Sequence, residues 1–238
     1  MVDTRNYFIF DGISSLQFDA YINGKGVFDS PDPDYSVQEV PGMNGDLHLN
    51  NNRYKNVSGK YEAFILRDFK DNFTALKTML LSRNKYCRLE DTYFPGQFRL
   101  ARVKSKLEPD MVDSLVAGTF TVEFDCKPQR FLKSGERPIE FTMSGSKLLN
   151  KWMPAKPLVK VYGSGSGTLT FGGRTINISS IDSYVMLDCE TQNAYKETSN
   201  KNSTVSISRY PELLNGENII SWTGGITKVE ITPRWWVL

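Results

Sequence analysis

The sequence contains a single histidine, and this scarcity limits the chemistry that it can support. A histidine-based catalytic triad also needs a nucleophile and an orienting acid, and no GxSxG nucleophile motif is present. Zinc sites need three or four clustered His, Cys or carboxylate ligands, which His48 and three dispersed cysteines do not supply. We therefore expect no catalytic residues, no metal ligands and no cofactor, and we do not expect an enzyme.

Cysteine is scarce as well: only Cys87, Cys126 and Cys189 occur, far apart in the chain. An odd number without short spacing is a poor disulfide framework, so we expect free thiols in a reducing cytoplasm. The first residues, MVDTRNYFIFDG, lack a basic segment followed by an apolar run, and we expect no signal peptide. No run approaches the roughly 20 apolar residues that span a bilayer, so no membrane partner is expected.

A strong net charge is also missing. The 29 Lys and Arg residues against 27 Asp and Glu residues leave a formal charge of +2, which gives no support to a nucleic-acid reader. With 39% hydrophobic and 24% charged residues, the composition of this 238-residue chain is that of a globular protein. One or two domains is the expectation for this length.

Strand patterns dominate what is present. Apolar and polar side chains alternate over residues 120–126, which is typical of a half-buried strand. YEAFIL (61–66) and QFRLARVKSKL (97–107) are further strand candidates. One helix is predicted at about residues 69–81, where Phe and Leu side chains recur on one helical face behind Asp68 as a candidate N-cap.

The distribution of proline and glycine predicts two domains. Both residue types cluster over residues 128–157, a composition that marks a connecting region. Short strand patterns and frequent turns follow, without a helix, as in a β-sandwich. We therefore predict a mainly β protein with an α+β first domain over residues 1–130, a connecting region over 131–157, and an all-β domain over 158–238.

The segment GSGSG at residues 163–167 has the composition of a flexible tether or a phosphate loop. A Walker loop would continue with Lys and Ser or Thr and open a helix, whereas TLTF predicts a strand. We instead predict that these glycines turn LVKVYG back onto TLTFGG. Gly172-Gly173 fits a two-residue hairpin turn, because a type I′ turn needs positive φ at both positions, and Gly224-Gly225 offers a similar turn.

Several segments, taken in order, resemble the distal tail proteins of siphophages. The first half contributes YSVQEVPGMNGDLHLNNNRYKNV (35–57), followed by an aromatic and apolar strand and one amphipathic helix. The second half contributes KPLVKVYGSGSGTLTFGGRTI (156–176), LDCETQNAYK (187–196), PELLNGENIISWTGG (211–225) and VEITPRWWVL (229–238). The resemblance covers essentially the whole chain.

This resemblance implies a structural virion protein. Such proteins form a hexameric ring at the end of a non-contractile phage tail, and in isolation two rings can meet back to back. The ring joins the tail tube to the baseplate, fibre or receptor-binding proteins, and DNA passes through it without sequence-specific binding. The first domain, a β-sandwich or barrel with one packed helix, builds the ring; the second is a galectin-like β-sandwich. The implied location is the distal tail of a phage or prophage particle, assembled in the cytoplasm of the bacterial host.

The polar stretch 42–56 is the candidate contact with a neighbouring subunit or with the tail tube, because it has a turn at Asn44-Gly45 and few apolar residues. A plain surface hairpin is the alternative. The candidate contact residues are Met43, Asn44, Gly45, Asp46, His48, Asn51, Arg53 and Tyr54.

Two other functions stay open at this point. A carbohydrate-binding adhesion module is one, but galectins hold sugar with a His-x-Asn-x-Arg strand, and residues 131–238 contain no histidine. A tail-associated hydrolase is the other, and the lack of a nucleophile motif counts against it.

Trp235 and Trp236 are adjacent, so on a strand they are expected to point to opposite faces, with at most one in the core.

Overall fold

The computed structural model describes residues 5–23, 29–104, 106–112 and 116–238. The chain divides into two compact units, Met1–Arg130 with Leu238 and Phe131–Val237. Both units are built mainly from β-strands, and the one α-helix of the described residues lies in the first unit, as the sequence predicts. Within the same residues, no helix is long and apolar enough to cross a membrane.

Within the described residues, ten strands begin in the first unit. They are β1 Phe8–Phe10, β2 Ile13–Ser14, β3 Ala20–Asn23, β4 Pro33–Gln38, β5 Leu47–Tyr54, β6 Val57–Ile65, β7 Cys87–Asp91, β8 Gln97–Val103, β9 Pro109–Val112 and β10 Ala117–Leu132. The main sheet has the order β2-β1-β7-β8-β10-β6-β3, and β9 pairs with β10. The predicted strands at 61–66, 97–107 and 120–126 correspond to β6, β8 and β10.

Helix α1 spans Phe69–Leu81, the predicted range. Asp68 occupies the N-cap position in a left-handed conformation, but its side chain makes no capping hydrogen bond. The apolar face of the helix enters the core of the sheet: Phe69 stacks on Phe73, and Phe73 meets Phe120 of β10 edge-on with ring centroids 5.1 Å apart. Burial of this face stabilises the helix more than its own propensity does.

Nine further strands lie in the second unit. They are β11 Ile139–Phe141, β12 Ser146–Asn150, β13 Leu158–Phe171, β14 Arg174–Asp188, β15 Asn193–Lys196, β16 Ser199–Asn200, β17 Val205–Ser206, β18 Gly216–Thr232 and β19 Trp236–Val237. The sheet has the order β11-β18-β13-β14-β15-β16, with β12 on β18 and β17 on β14. The inward side chains of the long strands β13, β14 and β18 cover one hydrophobic core, as in a β-sandwich.

The predicted corner at GSGSG is wrong. LVKVYG and TLTF belong to one strand, β13. Its pairing shifts register against β14 between Gly165 and Gly167, and against β18 between Tyr162 and Gly167. The predicted turn at Gly224-Gly225 is wrong for the same reason, since both glycines lie inside β18 opposite this bulge. The two backbones touch here: a methyl group on Gly225 would stand 1.8 Å from the carbonyl oxygen of Ser164. The glycines therefore permit close approach and a bulge rather than a chain reversal.

The other predicted turn is confirmed. Gly172 and Gly173 have φ values of 56° and 71°, and Phe171 pairs directly with Arg174, so β13 and β14 form a two-residue hairpin. Of the adjacent tryptophans, Trp235 is buried in the core, while Trp236 is partly buried against the same core and donates its indole N–H to the carbonyl oxygen of Pro154. Their placement on opposite faces of one strand stays a prediction, because Trp235 lies before β19.

The stretch 131–157, predicted to connect the domains, carries regular structure. β11 pairs with the C-terminal part of β18, and β12 pairs with its N-terminal part. Asn150 at the end of β12 is buried and donates its side-chain amide to the carbonyl oxygens of Met153 and Leu213. Most proline and glycine residues of the stretch 131–157 therefore lie between strands that belong to the second unit.

Candidate functional site

The predicted contact stretch forms a hairpin built from β4 and β5. In the described part of the chain these strands pair with each other and with no other strand. The register places Tyr35 opposite Asn50 and Gln38 opposite Leu47. Residues 39–46 form the connecting turn, in which the backbone N–H of Met43 donates to the carbonyl oxygen of Val40. The base is fixed by the backbone N–H of Lys55, which donates to the carbonyl oxygen of Asp32 at 2.8 Å.

All eight predicted contact residues lie on this hairpin. Met43, Asn44, Gly45 and Asp46 occupy the turn, and His48, Asn51, Arg53 and Tyr54 lie on β5. Only Tyr54 is partly buried, and the other seven are exposed. The structure therefore brings the predicted residues together on one exposed element.

Four apolar residues of the hairpin are not among the predicted contact residues. Alternation along a strand places Tyr35 and Val37 on one face, with His48 from β5, and places Leu47 and Leu49 on the other face. All four apolar residues are exposed, Val37 at 57% and Leu49 at 48%. The alternation in DYSVQ and LHLNN could have identified them, but it leaves apolar side chains on both faces and so no single core face.

An ion pair stiffens the base of the hairpin. The guanidinium of Arg53 donates to the carboxylate of Asp34 at 2.6 Å, and Asp34 is buried while Arg53 is exposed. The hydrogen bond from Arg53 is the main cause that lowers the pKa of Asp34. Asn51 donates to the hydroxyl of Ser36 across the two strands. These contacts lie within the hairpin, so they fix its two strands to each other without covering its apolar side chains.

The surroundings of His48 offer no catalytic partner. Its ring lies 6.1 Å from the ring of Tyr35, edge-on, and no carboxylate or nucleophile among the described residues hydrogen-bonds to it. In the described ranges, no group of three or more His, Cys, Asp or Glu side chains is placed to hold a metal ion. The three cysteines are free and buried. The hairpin itself presents exposed polar and apolar side chains, a surface that suits contact with a macromolecule.

Comparison with known proteins shows which fold this is. No protein-family profile matches the chain, and no curated protein matches it by sequence. Among solved structures, it is similar to the Dit protein (gp 19.1) of phage SPP1, described as a paradigm of the hub adsorption apparatus in phages that infect Gram-positive bacteria. The TM-score is 0.76 at 12% identity, covering 95% of this chain and 98% of that one.

The chain is also similar to a component of the phage P2 baseplate in its activated conformation, solved with Ca and with Sr. The TM-score is 0.53 in both cases, at 9% and 10% identity, covering 96% of this chain and 97% of the other. The fold is therefore that of phage Dit and baseplate hub proteins.

Proposed function

We propose that this chain is a structural subunit of a phage tail tip, with no enzymatic role. Six copies form a ring at the distal end of the tail, and the ring joins the tail tube to the baseplate, fibre or receptor-binding proteins. DNA passes through the lumen without sequence-specific contacts. The subunit is made in the host cytoplasm, and residues 1–130 build the ring while the galectin-like domain, predicted at residues 158–238, serves as an attachment platform.

The observation that carries this proposal is the fold match to the SPP1 Dit protein, which extends over 95% of the chain rather than over one unit. A match of both units, in order, is more specific than a match of a single β-sandwich, because β-sandwiches serve many unrelated functions. The formal charge of +2 also suits a subunit around a DNA channel, since weak attraction allows the DNA to slide.

The hairpin supports assembly on physical grounds. An isolated two-stranded hairpin is marginally stable in water, and it usually needs a third strand or a packed face. Here every residue of β5 from Leu47 to Arg53 is exposed, and apolar side chains lie on both faces. A neighbouring subunit would bury these side chains. In a closed ring one patch meets a different patch on the next copy, and a projecting hairpin fits this arrangement.

The proposal is tested by the mass and shape of the purified full chain. Leu49→Lys places a charge on the hairpin, and Leu81→Lys is the matched control, because Leu81 is equally exposed at 47% but lies at the end of α1. Light scattering and negative-stain imaging should show rings for the wild type and the control, and smaller species for Leu49→Lys. If both variants form rings like the wild type, the hairpin is not the contact. If the wild type remains a single chain at every concentration, the ring itself is contradicted.

A further inference from the structure

The second unit has an outward face that carries a row of polar side chains. Four strands contribute one residue each to a row across this face. Thr223 of β18 lies opposite Thr168 of β13, Thr168 lies opposite Asn177 of β14, and Asn177 lies opposite Ser206 of β17. Neighbouring strands are about 4.8 Å apart, so the row presents polar groups at regular intervals over roughly 14 Å.

The row forms the floor of a groove of about 530 Å³. Besides the row, the lining includes Ser203 and Thr204 of the short 3₁₀ turn, and Gly167 and Gly224 of the glycine bulge of β13 and β18. This volume lies within the range of small-molecule sites. Because glycine has no side chain, Gly167 and Gly224 of the bulge contribute only backbone to the groove.

The chemistry of the lining is unusual in being entirely uncharged. Of the twelve lining residues, seven carry a hydroxyl group and one carries an amide, while two are glycines and two are aliphatic. A phosphate, a nucleic acid or an anionic polymer would need cationic groups here. Most of the exposed lining area is carbon, but only two side chains are aliphatic and none is aromatic, so a ligand with both apolar faces and hydroxyl groups fits better than a purely apolar one. A neutral molecule rich in hydroxyl groups is the class that this lining complements.

Several of these polar groups are available to a ligand. The hydroxyls of Thr168 and Thr223 bond to each other at 2.7 Å, and each oxygen keeps further hydrogen-bonding capacity. The side chains of Asn177 and Ser206 are exposed and make no hydrogen bond to the described chain. An amide offers both a donor and an acceptor, which suits the neighbouring hydroxyls of a sugar ring.

We propose that this groove binds a segment of a neutral polysaccharide, with Asn177, Ser206, Thr168 and Thr223 as the contacting residues. The site does not use the His-x-Asn-x-Arg strand of galectins, and it does not depend on ring assembly. The lining contains no aromatic residue to stack on a sugar, so each site is weak, with a Kd of about 1 mM. Several copies on one particle would strengthen the attachment through avidity.

The test is saturation-transfer NMR on the full chain with four tetrasaccharides. Three probes are neutral, namely cellotetraose, maltotetraose and tetra-N-acetylchitotetraose, and tetragalacturonate is the charged control. The proposal expects binding of at least one neutral probe and no binding of the charged one. The double variant Asn177→Ala with Ser206→Ala should weaken the binding at least fivefold. Thr168→Val, which keeps the shape of the side chain, should weaken it at least twofold.

The matched control variant is Asn84→Ala, because Asn84 is an exposed asparagine that belongs to the first unit, whereas the groove lies in the second. It should bind like the wild type. Tryptophan fluorescence checks the fold of each groove variant, since all four tryptophans lie in the second unit. The proposal is overturned if no neutral probe binds, if the double variant binds unchanged, or if tetragalacturonate binds equally well. None of these outcomes bears on ring formation.

Discussion

In the hairpin turn Gly172-Gly173, we predict that substitution of Gly172 destabilises the second unit more than substitution of Gly173. The residue preferences of type I′ turns alone would predict the opposite order. Both glycines have positive φ, so alanine at either position is strained by about 1–2 kcal/mol. Their surroundings differ. A methyl group on Gly172 would stand 2.0 Å from the carbonyl oxygen of Glu212, whereas a methyl group on Gly173 would meet nothing within 4 Å. The contacted atom is backbone and cannot swing away.

Overpacking of this kind costs about 1–3 kcal/mol beyond the strain. Gly172→Ala should therefore lower the free energy of unfolding of the second unit by about 2–5 kcal/mol, and Gly173→Ala by about 1–2 kcal/mol. Asparagine tolerates positive φ, so it separates the two effects. Type I′ turns usually favour asparagine before glycine, but here we expect Gly172→Asn to destabilise the fold more than Gly173→Asn does.

Urea unfolding followed by tryptophan fluorescence measures this difference, because all four tryptophans lie in the second unit. The four variants are compared at equal protein concentration with the wild type. Equal losses at the two positions, or a larger loss at Gly173, would show that the contact with Glu212 does not limit the turn.

Three further predictions concern the second unit. Gly225→Ala should lower its free energy of unfolding by about 2–3 kcal/mol, because the methyl group would force β13 and β18 apart at Ser164; urea midpoints measure this. Burial acts to raise the pKa of Asp188, but the hydrogen bond and charge of Arg234 outweigh it and lower that pKa. The resulting stabilisation is complete above the ordinary Asp pKa of about 3.9 and is lost as the pH falls through the lower folded value; Asp188→Asn should flatten this acid loss in thermal melts, and an unchanged profile would contradict it. Burial raises the pKa of the Cys189 thiol to about 12, so a disulfide reagent at pH 8 should label it only after unfolding, and rapid labelling of the native protein would contradict its burial.

Local patterns in the sequence predict the local structure well. The helix at 69–81 was predictable because four apolar residues on one face of a helix make a pattern that no strand shares. The turn at Gly172-Gly173 was predictable because two adjacent glycines next to strand patterns suit positive φ at both positions. Both features depend on residues that are neighbours in the chain.

The errors concern residues that meet across long distances in the sequence. The segment GSGSG has the composition of a turn, and only its contact with Gly224-Gly225, about sixty residues later, makes it a bulge within one strand. The groove row depends on the register of four strands, which no local pattern specifies. The polar residues of the β4–β5 hairpin were predicted from its turn, but its exposed apolar residues were missed because they alternate between two faces.

The central claim is that this chain assembles into a ring, and the mass of its assembly tests that claim most directly. Mass photometry of the purified protein, followed by class averaging of negatively stained particles, counts the chains and shows their symmetry. We predict particles of six chains of 27.0 kDa each, or twice that number if rings pair, with six-fold views. Single-chain particles at every concentration, including in the presence of the tail tube protein, would contradict the account.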